Sequence, residues 1–211
     1  MKIIKLREID STHRYIKDYI IENGYTEPLC VLCDYQTQGI GSRGNLWLGK
    51  EGNLFFSFVV DNSFLPKDLP LQSSSIYFSY ILKDILKELG SKVWLKWPND
   101  FYIENKKIGG TITTVSKELL YCGIGINLKE VSEDFGKLDI NIDINHMLKS
   151  YFLKLEKKIF WKQIFSEFKI EFQHSKKFQT TIDNQKVSLE NVALNDDGSI
   201  QVNNKKVFSL R

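Results

Sequence analysis

The feature that most constrains the fold of this chain is a pair of short strands joined by the corner Pro98-Asn99-Asp100. β-Forming and apolar residues precede and follow this corner, and a tight turn then starts a returning strand at Lys107. Because side chains alternate along a strand, Lys96 faces away from its apolar neighbours. Lys96, Asp100 and Lys107 are therefore predicted to converge near Gly109-Gly110, whose missing side chains leave room for a ligand.

An ordinary hairpin with solvent-exposed lysines is the alternative interpretation of this stretch. For Lys106, taken alone, that interpretation is as good as a functional one. Two cations and a carboxylate at one strand end, beside aromatic side chains and a glycine opening, favour a functional site for the other three residues.

Composition excludes several classes of protein. The 211 residues, 42% of them hydrophobic, are enough for one main domain with a small appendage. Lys+Arg 29 against Asp+Glu 26 gives a net charge of +3, so no basic surface for general nucleic-acid binding is indicated. No apolar run reaches the roughly 20 residues needed to span a bilayer, so no membrane association is predicted.

The three cysteines, Cys30, Cys33 and Cys122, have no framework spacing, and no secretory signal pattern is visible. We therefore expect a reducing, cytoplasmic location. Cys30 and Cys33 have the spacing of a redox or zinc half-site. In a strand, however, residues three apart face opposite sides of the sheet, which argues against a shared metal.

The order Lys-Trp-Pro-Asn-Asp at residues 96–100, a short hairpin, and Lys-Lys-Ile-Gly-Gly at residues 106–110 resembles the central signature of biotin protein ligases. The resemblance implies an α+β fold with a mixed, mainly antiparallel sheet packed by helices, as in the class II synthetase-like catalytic domain of that family. It places the catalytic domain at residues 1–173 and a reduced SH3-like β domain at residues 174–211. Because Met1 directly precedes the first predicted strand, the form without an N-terminal helix-turn-helix domain, and without specific DNA binding, is expected.

Asp10-Ser11-Thr12 supplies N-cap residues for a predicted helix from Tyr15 to Glu22. Capping needs only one of these three side chains. In biotin ligases the corresponding Ser-Thr hydroxyls reach the ureido ring of biotin, so the resemblance implies the same role for Ser11 and Thr12. His13 follows them, where relatives often have Asn, and we group it with them as biotin-binding.

A polar, glycine-rich loop runs from Gln36 to Trp47, after a predicted buried strand. Taken alone, Gly39-x-Gly41-x-x-Gly44 is a weak dinucleotide fingerprint, but a strand follows it where that fingerprint requires a helix. A protein-kinase lid does not fit either, although Asp134-Phe135-Gly136 occurs later. The sequence has no strand lysine after the loop and no His-Arg-Asp catalytic loop before Asp134.

The loop does resemble the biotin ligase pattern Gly-Arg-Gly-Arg-x-Gly-Arg-x-Trp, whose amides and arginines enclose biotin and the phosphate. On that resemblance, the predicted biotin-binding residues here are Gln36, Gly39, Ile40, Gly41, Ser42 and Trp47, together with Lys107 and Gly110 beyond the loop. Ile40, Ser42 and Asn45 stand where the pattern has arginine. Arginine otherwise occurs only at Arg7, Arg14 and Arg211, so Arg43 is predicted to have taken over the adenylate phosphate.

The rest of the chain predicts a helix from Leu69 to Gly90, paired strands over residues 111–115 and 119–127, and a helical region from Asp143 to about Phe172. Short strands are predicted thereafter at residues 187–189, 191–194, 199–202 and 206–210. The resemblance places Gly125 and Asn127 beside the nucleotide. The segment at residues 128–141 is polar, and such a segment is suited to folding over the adenine.

The activity that the resemblance implies is attack of the biotin carboxylate on the α-phosphate of ATP, then transfer of biotin to a lysine of an acceptor. That acceptor would be the biotin carboxyl carrier protein of acetyl-CoA carboxylase. Lys107 would touch carboxylate and phosphate, Lys96 and Asn99 would position the polyphosphate, and Asp100 would orient Lys107 or hold Mg²⁺.

Two other functions stay open. One is a lipoate or octanoate ligase or transferase of the same fold, which the different glycine loop disfavours. The other is a biotin-binding protein without ligase activity, suggested by the missing arginines and opposed by Lys96, Asp100 and Lys107. The sequence does not determine the oligomeric state, and a homodimer is among the options.

Overall fold

The computed structural model describes residues 1–42, 45–47, 49–203 and 205–208. Its helices are α1 (Thr12–Asn23), α2 (Ser74–Glu88), α3 (Ile144–Glu156) and α4 (Trp161–Ser175), with 3-10 turns at Asn62–Phe64 and Leu71–Ser73. Its strands are β1 (Lys2–Ile9), β2 (Leu29–Gln36), β3 (Gly39–Ile40), β4 (Leu46–Trp47), β5 (Leu54–Asp61), β6 (Trp94–Lys96), β7 (Asp100–Ile103), β8 (Lys106–Ser116), β9 (Leu119–Ile126), β10 (Gln179–Ile182), β11 (Gln185–Ser188), β12 (Ala193–Leu194), β13 (Ile200–Val202) and β14 (Lys205–Val207).

Seven of these strands form one sheet in the order β1-β2-β5-β9-β8-β7-β6. Strand β1 pairs with β2 in parallel, and the other neighbouring pairs are antiparallel. The sheet is therefore mixed and mainly antiparallel, and the predicted fold class is confirmed.

Helices cover this sheet unequally on its two faces. One face carries the main core, in which α2 and α3 pack against Phe56 and Phe58 of β5, and α4 packs against α2 and the edge strand β6. On the other face, α1 covers a smaller cluster that includes Ile16, Val59 and Tyr121. Strands β2 and β5 are buried from both sides, which explains why their sequences are nearly continuous apolar runs.

The part of the α1 face that the helix leaves uncovered is lined by small residues. The strand register places Ser57 opposite Gly123 and Gly110 opposite Gly125. Two residues further along β5, under α1, the corresponding pair is Val59 and Tyr121. The side chains on this face thus become smaller with distance from α1, and their small size leaves a cleft above β8 and β9.

Three predicted helical segments have different bounds in the structure. The helix predicted from Tyr15 to Glu22 spans Thr12–Asn23, directly after its N-cap Ser11. The helix predicted from Leu69 begins at Ser74, because Pro70 precedes a separate 3-10 turn. The helical region predicted from Asp143 to about Phe172 is two helices, and Lys158, between them, has a left-handed φ of 48°.

The carboxylate of Asp68 caps the second of these helices. It accepts from the N–H of Trp161 at 2.9 Å and from that of Lys162 at 3.1 Å. A cap supplied from residues far away in the sequence could not be read from the helical pattern itself.

The C-terminal strands form two small sheets, β10-β11 and β12-β13-β14, so the strand-rich appendage is present. Strand β10 was not among the predicted strands, and Ser209 and Leu210, predicted to continue β14, lie outside the described residues. Ile182, Leu189 and Ile200 of this region pack in the main core. The domain division at residue 174 stays a prediction, since α4 itself runs to Ser175.

The three cysteines are buried and free. Burial raises the pKa of each of these thiols, so they are protonated at neutral pH and poor nucleophiles. None of the helices in the described part of the chain is both long and apolar enough to cross a membrane.

Candidate active site

Strands β6, β7 and β8 bring Lys96, Asp100 and Lys107 into one cluster. Lys96 lies opposite Asp100 in the register of β6 and β7. The Nζ atom of Lys107 is 2.5 Å from Asp100 Oδ1, and the Nζ atom of Lys96 is 3.3 Å from Asp100 Oδ2. One carboxylate therefore bridges two ammonium groups, and the cluster keeps a surplus positive charge.

Asp100 is ionised in this arrangement. Burial alone would raise the pKa of its carboxyl group, but the adjacent Lys107 and Lys96 hold the pKa below its ordinary value. Lys96 is buried, whereas Lys107 is partly exposed and lines the cleft above β8 and β9. Lys107 is thus the cation that a ligand in this cleft would contact.

Hydrogen bonds fix the corner between β6 and β7. The side-chain amide of Asn99 donates to the carbonyl oxygen of Thr111, and the Thr111 N–H donates to the carbonyl oxygen of Asn99 at 3.0 Å. The side chain predicted to position the polyphosphate is therefore held on β8, beside the charged cluster.

At the inner end of the cleft, Thr12, Gln36 and Ser57 form a buried, uncharged network. The N–H and the hydroxyl of Thr12 donate to Gln36 Oε1 at 2.7 and 2.9 Å. The hydroxyl oxygens of Thr12 and Ser57 are 2.8 Å apart. Because Thr12 already uses its one hydroxyl proton, Ser57 is the donor in that bond.

Ser11 and His13 flank this network. Ser11 is the N-cap of α1 and accepts from the N–H of Arg14 at 3.4 Å. His13 Nε2 lies 3.2 Å from Thr114 Oγ1. Burial, and next the nearby Lys17, lower the pKa of His13 to about 3, so this imidazole is neutral at physiological pH.

The glycine-rich loop contains a short hairpin of β3 and β4, in which Gly39 pairs with Trp47. A Cβ atom on Gly39 would lie 2.6 Å from the Trp47 carbonyl oxygen, so the hairpin itself requires this glycine. Trp47 covers Gly125, where a Cβ atom would lie 2.8 Å from the indole Nε1. Arg43, predicted to contact the adenylate phosphate, lies outside the described residues.

The cleft between these elements encloses about 470 Å³ of space, part of it open to solvent. Most of the predicted site residues line it: Ser11, Thr12, His13, Gln36, Ile40, Gly41, Ser42, Trp47, Asn99, Asp100, Lys107, Gly110 and Gly125. An outer part, which shares several of these residues, continues to Lys96, Lys17 and β10.

The sequence model of the Biotin/lipoate A/B protein ligase family matches residues 6–128, which include both ends of this cleft. The chain belongs to that biotin/lipoate A/B protein ligase family.

Individual relatives agree with this membership. The bifunctional ligase/repressor BirA of Bacillus spizizenii is 30% identical over 136 residues, which are 60% of this chain and 40% of BirA. Biotin--protein ligase 2 of Arabidopsis thaliana is 31% identical over 132 residues, 57% of this chain and 38% of that protein. The chain thus matches about 40% of the length of these curated relatives.

Among solved structures, biotin acetyl coenzyme A carboxylase synthetase from Helicobacter pylori, with bound biotinylated ATP, superposes with a TM-score of 0.93. It is 36% identical, and the match covers 98% of this chain and 99% of that chain. The biotin/lipoate ligase fold therefore extends over nearly the whole chain.

Among the described residues, three predicted site residues do not line this cleft: Gly39 and Asn127, and also Lys96, which lines only the outer part. Asn127 donates instead to the carbonyl oxygen of Gly136 at 3.1 Å. The N–H of Gly136 in turn donates to the carbonyl oxygen of Lys107 at 2.9 Å. Asn127 therefore holds the segment after β9 against the strand that carries Lys107.

The opening predicted at Gly109-Gly110 is half correct. Gly110 lines the cleft, but Gly109 does not leave room for a ligand. A Cβ atom on Gly109 would lie 2.5 Å from the carbonyl oxygen of Gly125 on β9, so the neighbouring strand already occupies the space of a side chain at Gly109.

Sequence reasoning missed four lining residues: Ser57, Thr111, Ile112 and Ile124. Gly123, two residues before Gly125 on β9, also lines the cleft. A signal for Ser57 existed, because it is the one polar residue within the apolar run from Leu54 to Val60. A buried polar residue in such a run needs partners, and here Thr12 supplies one.

Asp100 does not by itself make a magnesium site. Each of its carboxylate oxygens is already held by a lysine. Within the described ranges, no group of three His, Cys, Asp or Glu side chains could hold a metal ion. The predicted Mg²⁺ would therefore have to be carried mainly by the phosphates of a nucleotide.

Proposed function

We propose that this member of the family is an ATP-dependent ligase that activates biotin as biotinyl-5′-adenylate and transfers it to a lysine of a biotin carboxyl carrier protein. One observation carries the proposal: a single cleft has an uncharged hydrogen-bonding inner end and a Lys-Asp-Lys cluster at its mouth. The similar Helicobacter pylori protein, with bound biotinylated ATP, supports the same pair of ligands.

The inner end suits the ureido ring of biotin. A ureido group has one carbonyl acceptor and two N–H donors, and Thr12, Gln36 and Ser57 offer hydroxyl and amide partners for both. The dithiolane ring of lipoate and the octanoyl chain have no such groups. They would leave these buried polar side chains without a ligand partner, which disfavours them.

The mouth of the cleft suits adenylation. The biotin carboxylate attacks the α-phosphorus of ATP, a new P–O bond forms, and the bond to the leaving pyrophosphate breaks. Two anions must be held together, and Lys107 lies where it can contact both. Asp100 orients Lys107, while Lys96 and Asn99 position the polyphosphate; Mg²⁺ is predicted to arrive on the phosphates of ATP.

In the second step, the neutral amine of the acceptor lysine attacks the carbonyl carbon of the adenylate. A C–N bond forms, AMP leaves with the electrons of the C–O bond, and the amine proton passes to solvent. The mixed anhydride reacts readily with water, so the glycine loop and Trp47 should cover it until the acceptor arrives.

The test is release of pyrophosphate from ATP in the presence of Mg²⁺ and biotin, followed by addition of an apo biotin carboxyl carrier protein. We expect pyrophosphate only when biotin is present, and one biotin on each carrier. Release of pyrophosphate with lipoate or octanoate in place of biotin would favour a lipoate or octanoate ligase. Biotin binding, measured by calorimetry, without any pyrophosphate would favour a binding protein.

A further inference from the structure

Strand β6 is the last strand of the seven-stranded sheet, so no strand of the described residues pairs with its outer edge. Leu95 and Trp97 are nevertheless fully buried. Their backbone N–H groups need partners, because an unpaired buried donor is costly. Helix α4 supplies both partners with side chains one turn apart.

The two contacts come from Glu171 and Ser175. Glu171 Oε1 accepts from the N–H of Leu95 at 3.2 Å, and Ser175 Oγ accepts from the N–H of Trp97 at 3.0 Å. Residues four apart lie on the same face of a helix, so α4 takes the place of the missing strand. Lys96 lies between Leu95 and Trp97, the two residues whose N–H groups donate to α4.

The second oxygen of Glu171 is also held. Lys83 Nζ lies 3.0 Å from Glu171 Oε2 and 3.7 Å from the centre of the Tyr80 ring, and only 4% of Lys83 is exposed. Burial lowers the pKa of Lys83, and Glu171 acts against that shift. Buried ion pairs add little to stability compared with apolar residues, so this pair is better explained by what it fixes in space.

We propose that Glu171 and Ser175 are positioning residues for Lys96, and that Lys83 holds the Glu171 carboxylate in place. Neither acceptor lines the cleft; both act through the backbone on either side of Lys96. The ammonium of Lys96 lies 3.3 Å from Asp100, which also holds Lys107, so its position affects the whole cluster. This inference rests on the proposed function, in which Lys96 positions the polyphosphate of ATP.

The effect should separate ATP from biotin. Loss of the edge contacts would loosen Lys96 and raise the KM for ATP. The inner end of the cleft is built on α1, β2 and β5. In the sheet order, β2 and β5 are separated by several strands from β6, which α4 contacts, so biotin affinity should not change.

Two double variants form a matched pair. Lys83→Met with Glu171→Gln removes the buried ion pair but keeps an acceptor for the Leu95 N–H. Lys83→Met with Glu171→Leu removes both. We expect the Gln variant to keep the KM for ATP within about twofold of wild type. The Leu variant should raise it about tenfold, because Lys96 shifts and its charge-assisted hydrogen bond to the polyphosphate is weakened.

Ser175→Ala tests the second contact, and Ser166→Ala, at an exposed position on the same helix, is its control. We expect Ser175→Ala to raise the KM for ATP several-fold, on the order of the loss of one buried hydrogen bond, and Ser166→Ala to leave it unchanged. Urea unfolding of each variant checks that it is folded at the assay temperature.

Equal KM values for ATP in the Gln and Leu variants would overturn the inference. A parallel loss of biotin affinity, measured by calorimetry, would also overturn it, because α4 would then support the fold in general. Absence of biotin-dependent pyrophosphate release from the wild type would contradict the proposed function instead. In that case calorimetric affinity for ATP replaces the KM as the measurement of positioning.

Discussion

The two ends of the cleft are both polar, but they are built in different ways. At the inner end, Thr12, Gln36 and Ser57 carry no formal charge and are linked by hydrogen bonds that leave further capacity for a ligand. At the mouth, Asp100 is shared between two cations, and positive charge is left over. Uncharged groups hold a neutral ring equally well throughout a reaction, whereas surplus charge acts most where charge develops.

The two ends also differ in how the chain assembles them. The inner network joins α1, β2 and β5, which are far apart in the sequence. The charged cluster comes from one local run of strands, β6 to β8, braced from outside by α4. This difference teaches that affinity for biotin should depend on the inner end and turnover on the mouth, and substitutions can test that division.

The largest effect is expected for Lys107→Ala. Removing the cation that contacts both anions should lower biotin-dependent pyrophosphate release about a hundredfold or more, with a smaller change in biotin affinity. Lys106→Ala is the control, because that neighbouring lysine is exposed and its ammonium donates to the carbonyl oxygen of Glu133. An equal fall in biotin affinity and in turnover would contradict the assignment of biotin binding to the inner end and of turnover to the mouth.

Asp100→Asn should have the next largest effect. The amide is neutral, so the two lysines lose the anion that they share and repel each other. We expect turnover to fall about tenfold or more while biotin still binds, as shown by calorimetry beside initial rates of pyrophosphate release. Unchanged turnover would mean that Lys107 needs no orienting partner.

Thr12→Val probes the other end. It removes the hydroxyl that Gln36 accepts from and that Ser57 donates to, and leaves the Ser57 donor buried without its partner. We expect the dissociation constant for biotin to rise about tenfold, the cost of one such unpaired group. Turnover at saturating biotin should stay near that of the wild type; a drop comparable to that of Lys107→Ala would break the comparison.

The mouth of the cleft was predictable from the sequence because its chemistry is local. Lys96, Asp100 and Lys107 fall within twelve residues, and strand alternation with one corner is enough to bring them together. The paired strands β8 and β9 were predictable for the same reason.

The inner end could be predicted only through resemblance, since its partners are distant in the sequence. Ser57 was missed because nothing local marks which helix will lie above β5. Gly109 was misread because the strand that crowds it, β9, comes later in the chain. The break between α3 and α4 was missed because the cap of α4, Asp68, precedes it by more than ninety residues. Contacts across the fold decided these points, and periodicity does not contain them.

The smallest effect concerns His13, which lines both parts of the cleft and is kept uncharged by burial. Its pKa is lowered from 6.5 to about 3 in the folded protein, so below about pH 6.5 the unfolded chain binds a proton that the folded chain does not. Stability should therefore fall as pH falls through this range. Between pH 8 and pH 6 the expected loss from this one group is about 0.8 kcal/mol.

Urea unfolding of the wild type and of His13→Asn at both pH values measures this difference. His146 and His174 are present in both proteins, so the comparison isolates the contribution of His13. Asparagine at position 13 removes a buried ring, so the variant should be less stable at each pH, but its loss between pH 8 and pH 6 should be smaller by about 0.8 kcal/mol. Equal losses in the two proteins would show that His13 takes up its proton in the folded state, and the inner end of the cleft would then not be uncharged below neutral pH.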